Sequence, residues 1–211
     1  MPTRVKICGI TRLEDALTAA RLGAHAIGLM FWPQSARAIT PTAAREIVAA
    51  LPPFVSAVGV FVNPERELVR QAISTAGLNM LQFHGDEVHE TPEFCGQFSL
   101  PYIKAVRVRK GLDLLQYAIQ YAGAGGLLLD SYVEGAPGGT GQVFDWNLIP
   151  RNLPLPLILS GGLNPGNVTA AIKQAQPWAV DVSSGVESAK GIKDAAKIAA
   201  FMQGVRSSES I

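Results

Sequence analysis

The chain has 211 residues, 48% of them apolar and 17% charged, with a formal net charge of +1. That length and apolar content suit a single domain with one continuous core and exclude a disordered chain, while near-neutral charge excludes a broad basic field for nucleic acid or an anionic membrane. Apolar runs fall far short of the roughly 20 residues that cross a bilayer, so no membrane contact is expected and the partner is read as a small molecule.

In chain order, short β-branched or apolar runs alternate with longer Ala-rich amphipathic segments. VKICGI at 5–10 precedes a helical pattern over 12–22, and AHAIGLMF at 24–31 leads through the loop FWPQSARAIT to a helix over 42–51. SAVGVFV at 56–62 is followed by a helix over 64–76, MLQFHG at 80–85 by one over 91–98, and YIKAVRV at 102–108 by one over 112–122. After GLLLDS at 126–131 comes only a short, weak helical piece at 146–149. LPLILSGGL at 155–163 and AVDVSSGV at 179–186 precede helices over 165–174 and 192–204. Eight βα repeats predict an α/β fold, a single-domain (β/α)8 TIM barrel over residues 1–205, with 206–211 as a frayed polar tail. No GxGxxG follows the first strand, which counts against a dinucleotide fold.

Cys8 and Cys95 are the only cysteines, and no charged-then-apolar leader precedes them, so a reducing cytoplasm is expected rather than secretion with disulfides. His25, His84 and His89 lack metal-ligand spacing, and no metal site is predicted. In a barrel the active groups gather on the rim where strands end. Residues two apart on a strand share a face, so Lys6 and Cys8 point toward the barrel axis while Val5 and Ile7 meet the helices. Lys6 is either a structural cation paired with an acid such as Asp181, the favoured reading, or a group that lowers the thiol pKa. Cys8 is either a packed thiol or a reactive one, whereas Cys95 reads as plain packing.

Asp130 follows three leucines, a setting that desolvates a carboxyl and suits a general acid, although bracing the next loop is the alternative. GGLNPGNV offers a glycine turn at Gly161 and Gly162, with Asn164 as a helix cap and Pro165 at the first helical position. DVSSGVE adds Ser183, Ser184 and Gly185 after the last strand. Turns after strands seven and eight are where barrels often hold phosphate, and GGTG at 138–141 could close over the same group. Arg37 could grip a carboxylate, or be a solvated surface cation. Gln82 and His84 share one strand face, and His84 either bridges core polar groups, the favoured reading, or lines the mouth.

KICGIT, FWPQSAR, GVFVN, LQFHG, LLLDS, PGGTGQVFDW, SGGLNPGNV and VDVSSGVE occur in an order that closely resembles the phosphoribosylanthranilate isomerase family of tryptophan biosynthesis, from Val5 to about Met202. Ala36 departs from it, since the family usually has proline before its arginine. The resemblance implies an Amadori rearrangement of N-(5-phosphoribosyl)anthranilate, with Cys8 as general base and Asp130 as general acid. It also implies Arg37 on the anthranilate carboxylate, and Gly161, Gly162, Ser183, Ser184 and Gly185 around the phosphate. No metal or organic cofactor is implied, and monomer and homodimer are both compatible with the sequence. Other phosphate-binding barrels fit less well: the aminoimidazole carboxamide ribonucleotide isomerase type calls for two related half-barrel motifs, and the indoleglycerol-phosphate synthase type for more Lys and Glu at its site. A non-catalytic phosphosugar-binding barrel gives no reason for Cys8 and Asp130 to recur together at strand ends.

Overall fold

The computed structural model describes residues 2–109, 111–131 and 144–209. β1 (Arg4–Ile7) pairs in parallel with β2 (Ala26–Met30) on one side and with β8 (Ala179–Val182) on the other, which closes the sheet. Between them run β3 (Ser56–Phe61), β4 (Met80–Phe83), β5 (Tyr102–Val108), β6 (Leu127–Ser131) and β7 (Leu157–Leu159), giving a closed parallel barrel in strict chain order. Parallel neighbours need crossovers, and the helices α1 (Leu13–Arg21), α2 (Pro41–Ala49), α3 (Arg66–Ala76), α4 (Pro92–Gly96), α5 (Leu114–Gln120), α6 (Val168–Ala175) and α7 (Ala195–Glu209) supply most of them. After β6 the described chain holds only a 3₁₀ turn, Trp146–Leu148, where the sequence pattern is weak.

Strand parity sorts the side chains into two layers. Val5, Ile7, Ile27, Leu29, Leu81, Phe83, Leu127, Leu129 and Val180 join the large core shared with the helices. The alternate positions Ile103, Ala105, Leu128, Ile158 and Ala179 form a smaller cluster inside the barrel. Above that cluster the inward positions turn polar. Lys6, Gln82, Asp130, Ser160 and Asp181 are all buried there, so the barrel is sealed below and polar at the carboxyl ends of its strands.

Local chemistry sets the helix ends. Thr40 and Thr91 each accept a hydrogen bond from the N–H three residues on, at 3.2 Å in both cases, with Pro41 and Pro92 at the first helical positions. Asp113 accepts from Leu115 and Gln116 at the start of α5.

Two helices start three residues later than the sequence reading places them. Regular helix in α6 begins at Val168 rather than Pro165, because Asn164–Asn167 forms a separate turn first. In that turn Asn164 Oδ1 accepts from Gly166 N at 2.9 Å and Asn167 Oδ1 accepts from Asn164 N at 2.8 Å, so Asn164 caps a turn that precedes the helix. The expected helix start at Ile192 is instead strand. β9 (Glu187–Ala189) and β10 (Ile192–Lys193) form a small antiparallel ribbon turned at Gly191, whose φ of 78° suits glycine. The α7 helix then continues through Arg206 to Glu209, where a frayed tail was expected. Among the described residues no helix is long and apolar enough to cross a membrane.

A fully buried ion pair braces the loops after β3 and β4. Lys104 Nζ on β5 lies 2.7 Å from Glu90 Oε2 with both side chains at 0% exposure, and it also donates to Gly85 O at 2.8 Å. Glu90 in turn accepts from Asn63 N at 2.8 Å and from Gly85 N at 2.7 Å. Two loops and one strand are thereby fixed to a single carboxylate next to His84.

Candidate active site

A cavity of about 380 Å³ opens at the carboxyl ends of the strands, within the size range of small-molecule clefts. Cys8, Arg37, Asp130, Gly161, Gly162, Ser183 and Ser184 all line it. These residues come from strand ends and loops far apart in sequence, and the closed barrel brings them to one rim. Gly185 is not on the wall. A Cβ there would lie 3.0 Å from Asn164 Cα, so its bareness lets the turn after β8 rest against the turn after β7. The GGTG segment at 138–141 lies outside the described residues.

Cys8 sits one residue beyond β1, held by its N–H to Val182 O at 2.8 Å. Gly28 on β2 makes room for it: a Cβ on Gly28 would come 2.7 Å from Cys8 Sγ and 3.1 Å from Lys6 Cε. The thiol and the lysine stem therefore lie side by side over one glycine. Lys6 Nζ is 2.7 Å from Asp181 Oδ1, the structural pairing favoured from sequence, and Ser160 Oγ donates to Asp181 Oδ2 at 3.2 Å. The positive charge of Lys6 also pulls the Cys8 pKa down, the other role weighed from sequence, but burial outweighs that pull. Burial disfavours the Lys6 ammonium, but Asp181 and Cys8 outweigh that and raise its pKa. Burial pushes the Cys8 pKa up, against the pull of Lys6 and Lys193.

Asp130 ends the apolar run of β6 and is 6% exposed. Its Oδ1 accepts from Ser131 N at 2.9 Å, and its Oδ2 lies 3.1 Å from His84 Nε2. His84 Nδ1 is 3.3 Å from Gln82 Nε2. Both roles open to His84 from sequence are seen: it lines the cavity and bridges Gln82 and Asp130, because parity carries Gln82 and, one residue past β4, His84 inward. Gln82 Oε1 is buried without a partner.

Gly161 and Gly162 have φ of 80° and 66°, conformations that glycine adopts without penalty. A side chain on Gly161 would lie 2.8 Å from Asp130 Oδ1, so the turn after β7 packs directly on the carboxyl. Asn164 Nδ2 and Asn167 Nδ2 donate to Gly162 O at 3.2 and 3.0 Å, which holds that carbonyl on the protein side of the turn. The N–H groups of such glycine and serine turns are ready anion donors.

Arg37 is part-buried and partnered rather than a free surface cation. Its Nε and Nη2 each lie 2.7 Å from a carboxylate oxygen of Glu187, which raises its pKa. Lys193 Nζ joins Glu187 Oε1 at 2.8 Å and reaches Ser183 O at 3.2 Å. Nothing in the sequence links Glu187 to Arg37, since the pair is 150 residues apart and meets only through barrel closure. Met30, Trp32, Val60 and Val62 line the cavity as well, so its wall joins apolar surface to charged and polar groups.

A family model described as N-(5'phosphoribosyl)anthranilate (PRA) isomerase matches residues 5–204. N-(5'-phosphoribosyl)anthranilate isomerase of Nitrosospira multiformis is 72% identical over 211 residues, covering 100% of both chains. The crystal structure of phosphoribosyl anthranilate isomerase from Thermotoga maritima superposes with a TM-score of 0.89 at 44% identity, over 97% of this chain and 99% of that one. A crystal structure of phosphoribosyl anthranilate isomerase in complex with reduced 1-(o-carboxyphenylamino)-1-deoxyribulose 5-phosphate is similar with a TM-score of 0.85 at 44% identity, over 97% and 99%. With its closed barrel, its rim of polar strand-end groups and relatives of this extent, the chain belongs to the N-(5'-phosphoribosyl)anthranilate isomerase family.

Proposed function

We propose that the cavity carries out the Amadori rearrangement of N-(5-phosphoribosyl)anthranilate to 1-(2-carboxyphenylamino)-1-deoxyribulose 5-phosphate by general acid–base catalysis. Asp130 protonates the ribose ring oxygen, the bond from C1 to that oxygen breaks, and the amine lone pair completes an iminium. Cys8, as thiolate, removes the proton on C2, and the electron pair moves into the iminium to give an enolamine that tautomerises to the ketone. Every atom of the substrate is kept. The iminium is itself the electron sink, so the chemistry calls for no organic cofactor. Each positioned proton transfer is worth roughly 10² to 10⁴ in rate.

The observation that carries this reading is that Cys8 and Asp130 line one cavity whose wall also holds Gly161, Gly162, Ser183 and Ser184. A sugar anchored by phosphate at those turns lies between the thiol and the carboxyl. Lys6 beside Cys8 supplies the positive charge that a thiolate needs, in place of the water that burial removes. Arg37 takes the anthranilate carboxylate, and the apolar wall of Met30 and Trp32 takes the ring. The reduced product analogue bound by a structural relative has these parts: a phosphate, a sugar chain and a carboxyphenyl group. We place the reaction in a reducing cytoplasm, consistent with two buried free cysteines. Adding freshly made phosphoribosylanthranilate should cause anthranilate fluorescence to fall in proportion to protein concentration. A signal that stays at the uncatalysed rate contradicts the assignment. Arg37→Ala should mainly raise KM, and an unchanged KM removes Arg37 from the carboxylate contact.

A further inference from the structure

We propose that Glu187 is a positioning residue for substrate binding, holding Arg37 side-on so that the remaining guanidinium donors form the carboxylate grip. The inference rests on Arg37 receiving the anthranilate carboxylate. A guanidinium carries five N–H donors in a rigid plane. Glu187 engages Nε and Nη2 at 2.7 Å each, the side-on edge. That leaves the end-on pair, one N–H on each terminal nitrogen, to receive a second carboxylate bidentately in the cavity that Arg37 lines.

Three features make this a built site. Glu187 is 8% exposed and anchored at the foot of the β9–β10 ribbon. Its charge is shared with Lys193, 2.8 Å away, so Arg37, Glu187 and Lys193 together retain one positive charge for an incoming anion. The stem of Arg37 lies over Gly9, where a Cβ would collide with Arg37 Cδ and come 3.0 Å from Ser183 Oγ. Lys193 also donates to Ser183 O at 3.2 Å, so one chain of contacts joins the carboxylate end of the substrate to the turn expected to hold its phosphate. An arginine fixed in this way has little rotamer freedom to lose when the ligand arrives.

The test measures binding of reduced 1-(o-carboxyphenylamino)-1-deoxyribulose 5-phosphate, and of the same compound with hydrogen in place of the ring carboxylate, by titration calorimetry. The proteins are the wild type, Glu187→Gln, Arg37→Ala and the double variant. Glu187→Gln should weaken the carboxylated compound about tenfold and the other by less than about twofold, and it should add nothing once Arg37 is alanine. Equal losses for both compounds, or losses that add in the double variant while Arg37→Ala still selects against the carboxylated one, overturn this inference alone. If Arg37→Ala does not distinguish the two compounds, the carboxylate reading falls and this inference with it. Should Glu187→Gln fail to fold, Glu187→Asp keeps the charge opposite Lys193 but draws the carboxylate back by one methylene. It must show the same selective loss, and wild-type affinity for both compounds overturns the proposal.

Discussion

Removing the ammonium of Lys104 should be among the most costly single changes in the barrel wall. Lys104→Met leaves the Glu90 carboxylate wholly buried, with only the Asn63 and Gly85 N–H groups to satisfy it, and takes from Gly85 O the donor it has at 2.8 Å. Breaking one side of a fully buried ion pair costs about 3–5 kcal/mol. In a domain of this size each kcal/mol moves Tm by roughly 2–4 °C, so a fall of about 6–20 °C is expected. Glu90→Gln added to Lys104→Met removes the stranded charge and leaves an amide oxygen to accept from Gly85 N or Asn63 N. The double variant should recover about half the loss or more, following the rule that removing both members of a buried pair is far milder than removing one. Thermal unfolding by circular dichroism reads all three variants. Turnover should fall with stability in the single variant, because Gly85 follows His84, which is 3.1 Å from Asp130. A Tm change below about 2 °C for Lys104→Met, or a double variant worse than the single, would refute the reasoning.

Three further outcomes follow from the site. Gly28→Ala places a methyl within 2.7 Å of Cys8 Sγ, so kcat should drop at least about tenfold for an overpacking cost of about 1–3 kcal/mol; unchanged kcat would mean the thiol position is not critical. Gly161→Ala combines a φ of 80° with a contact 2.8 Å from Asp130 Oδ1, and should lower kcat and raise KM together, whereas a change in KM alone would detach this turn from the acid. Because burial raises the Cys8 pKa and the base acts deprotonated, kcat/KM should climb as pH rises from neutral into the alkaline range; a flat profile between about pH 7 and 9 would contradict the thiolate step.

The barrel is legible in the sequence because each strand is a short apolar run and each crossover an amphipathic one, and these periods depend only on neighbours in the chain. Parity puts Lys6 on the inner face, and its expected pairing with an acid such as Asp181 is found at 2.7 Å. Cys8, Arg37 and Asp130 can be found at strand ends for the same local reason. What they touch cannot. Glu187 reaches Arg37 across 150 positions, and Glu90 collects groups from three elements, so both are products of closure. Ile192 and Lys193 carry a helical composition but form strand, because Lys193 Nζ is drawn to Glu187 and its N–H donates to Asp15 Oδ2 at 3.0 Å. The sequence leaves His84 between a bridging and a mouth-lining role because a histidine just past a strand carries no sign of its partner, which lies two barrel strands away on β6.

The central claim is that one thiol and one carboxyl, on opposite sides of a bound ribose, move the two protons of the reaction. Single-turnover kinetics of Cys8→Ala and Asp130→Asn, alongside calorimetric binding of the reduced product analogue, tests it most directly. Each variant should fold, bind the analogue within a few-fold of wild type, and lose roughly 10² to 10⁴ in rate. Near-native turnover in either variant would contradict the assignment of that residue and the two-proton account built on it.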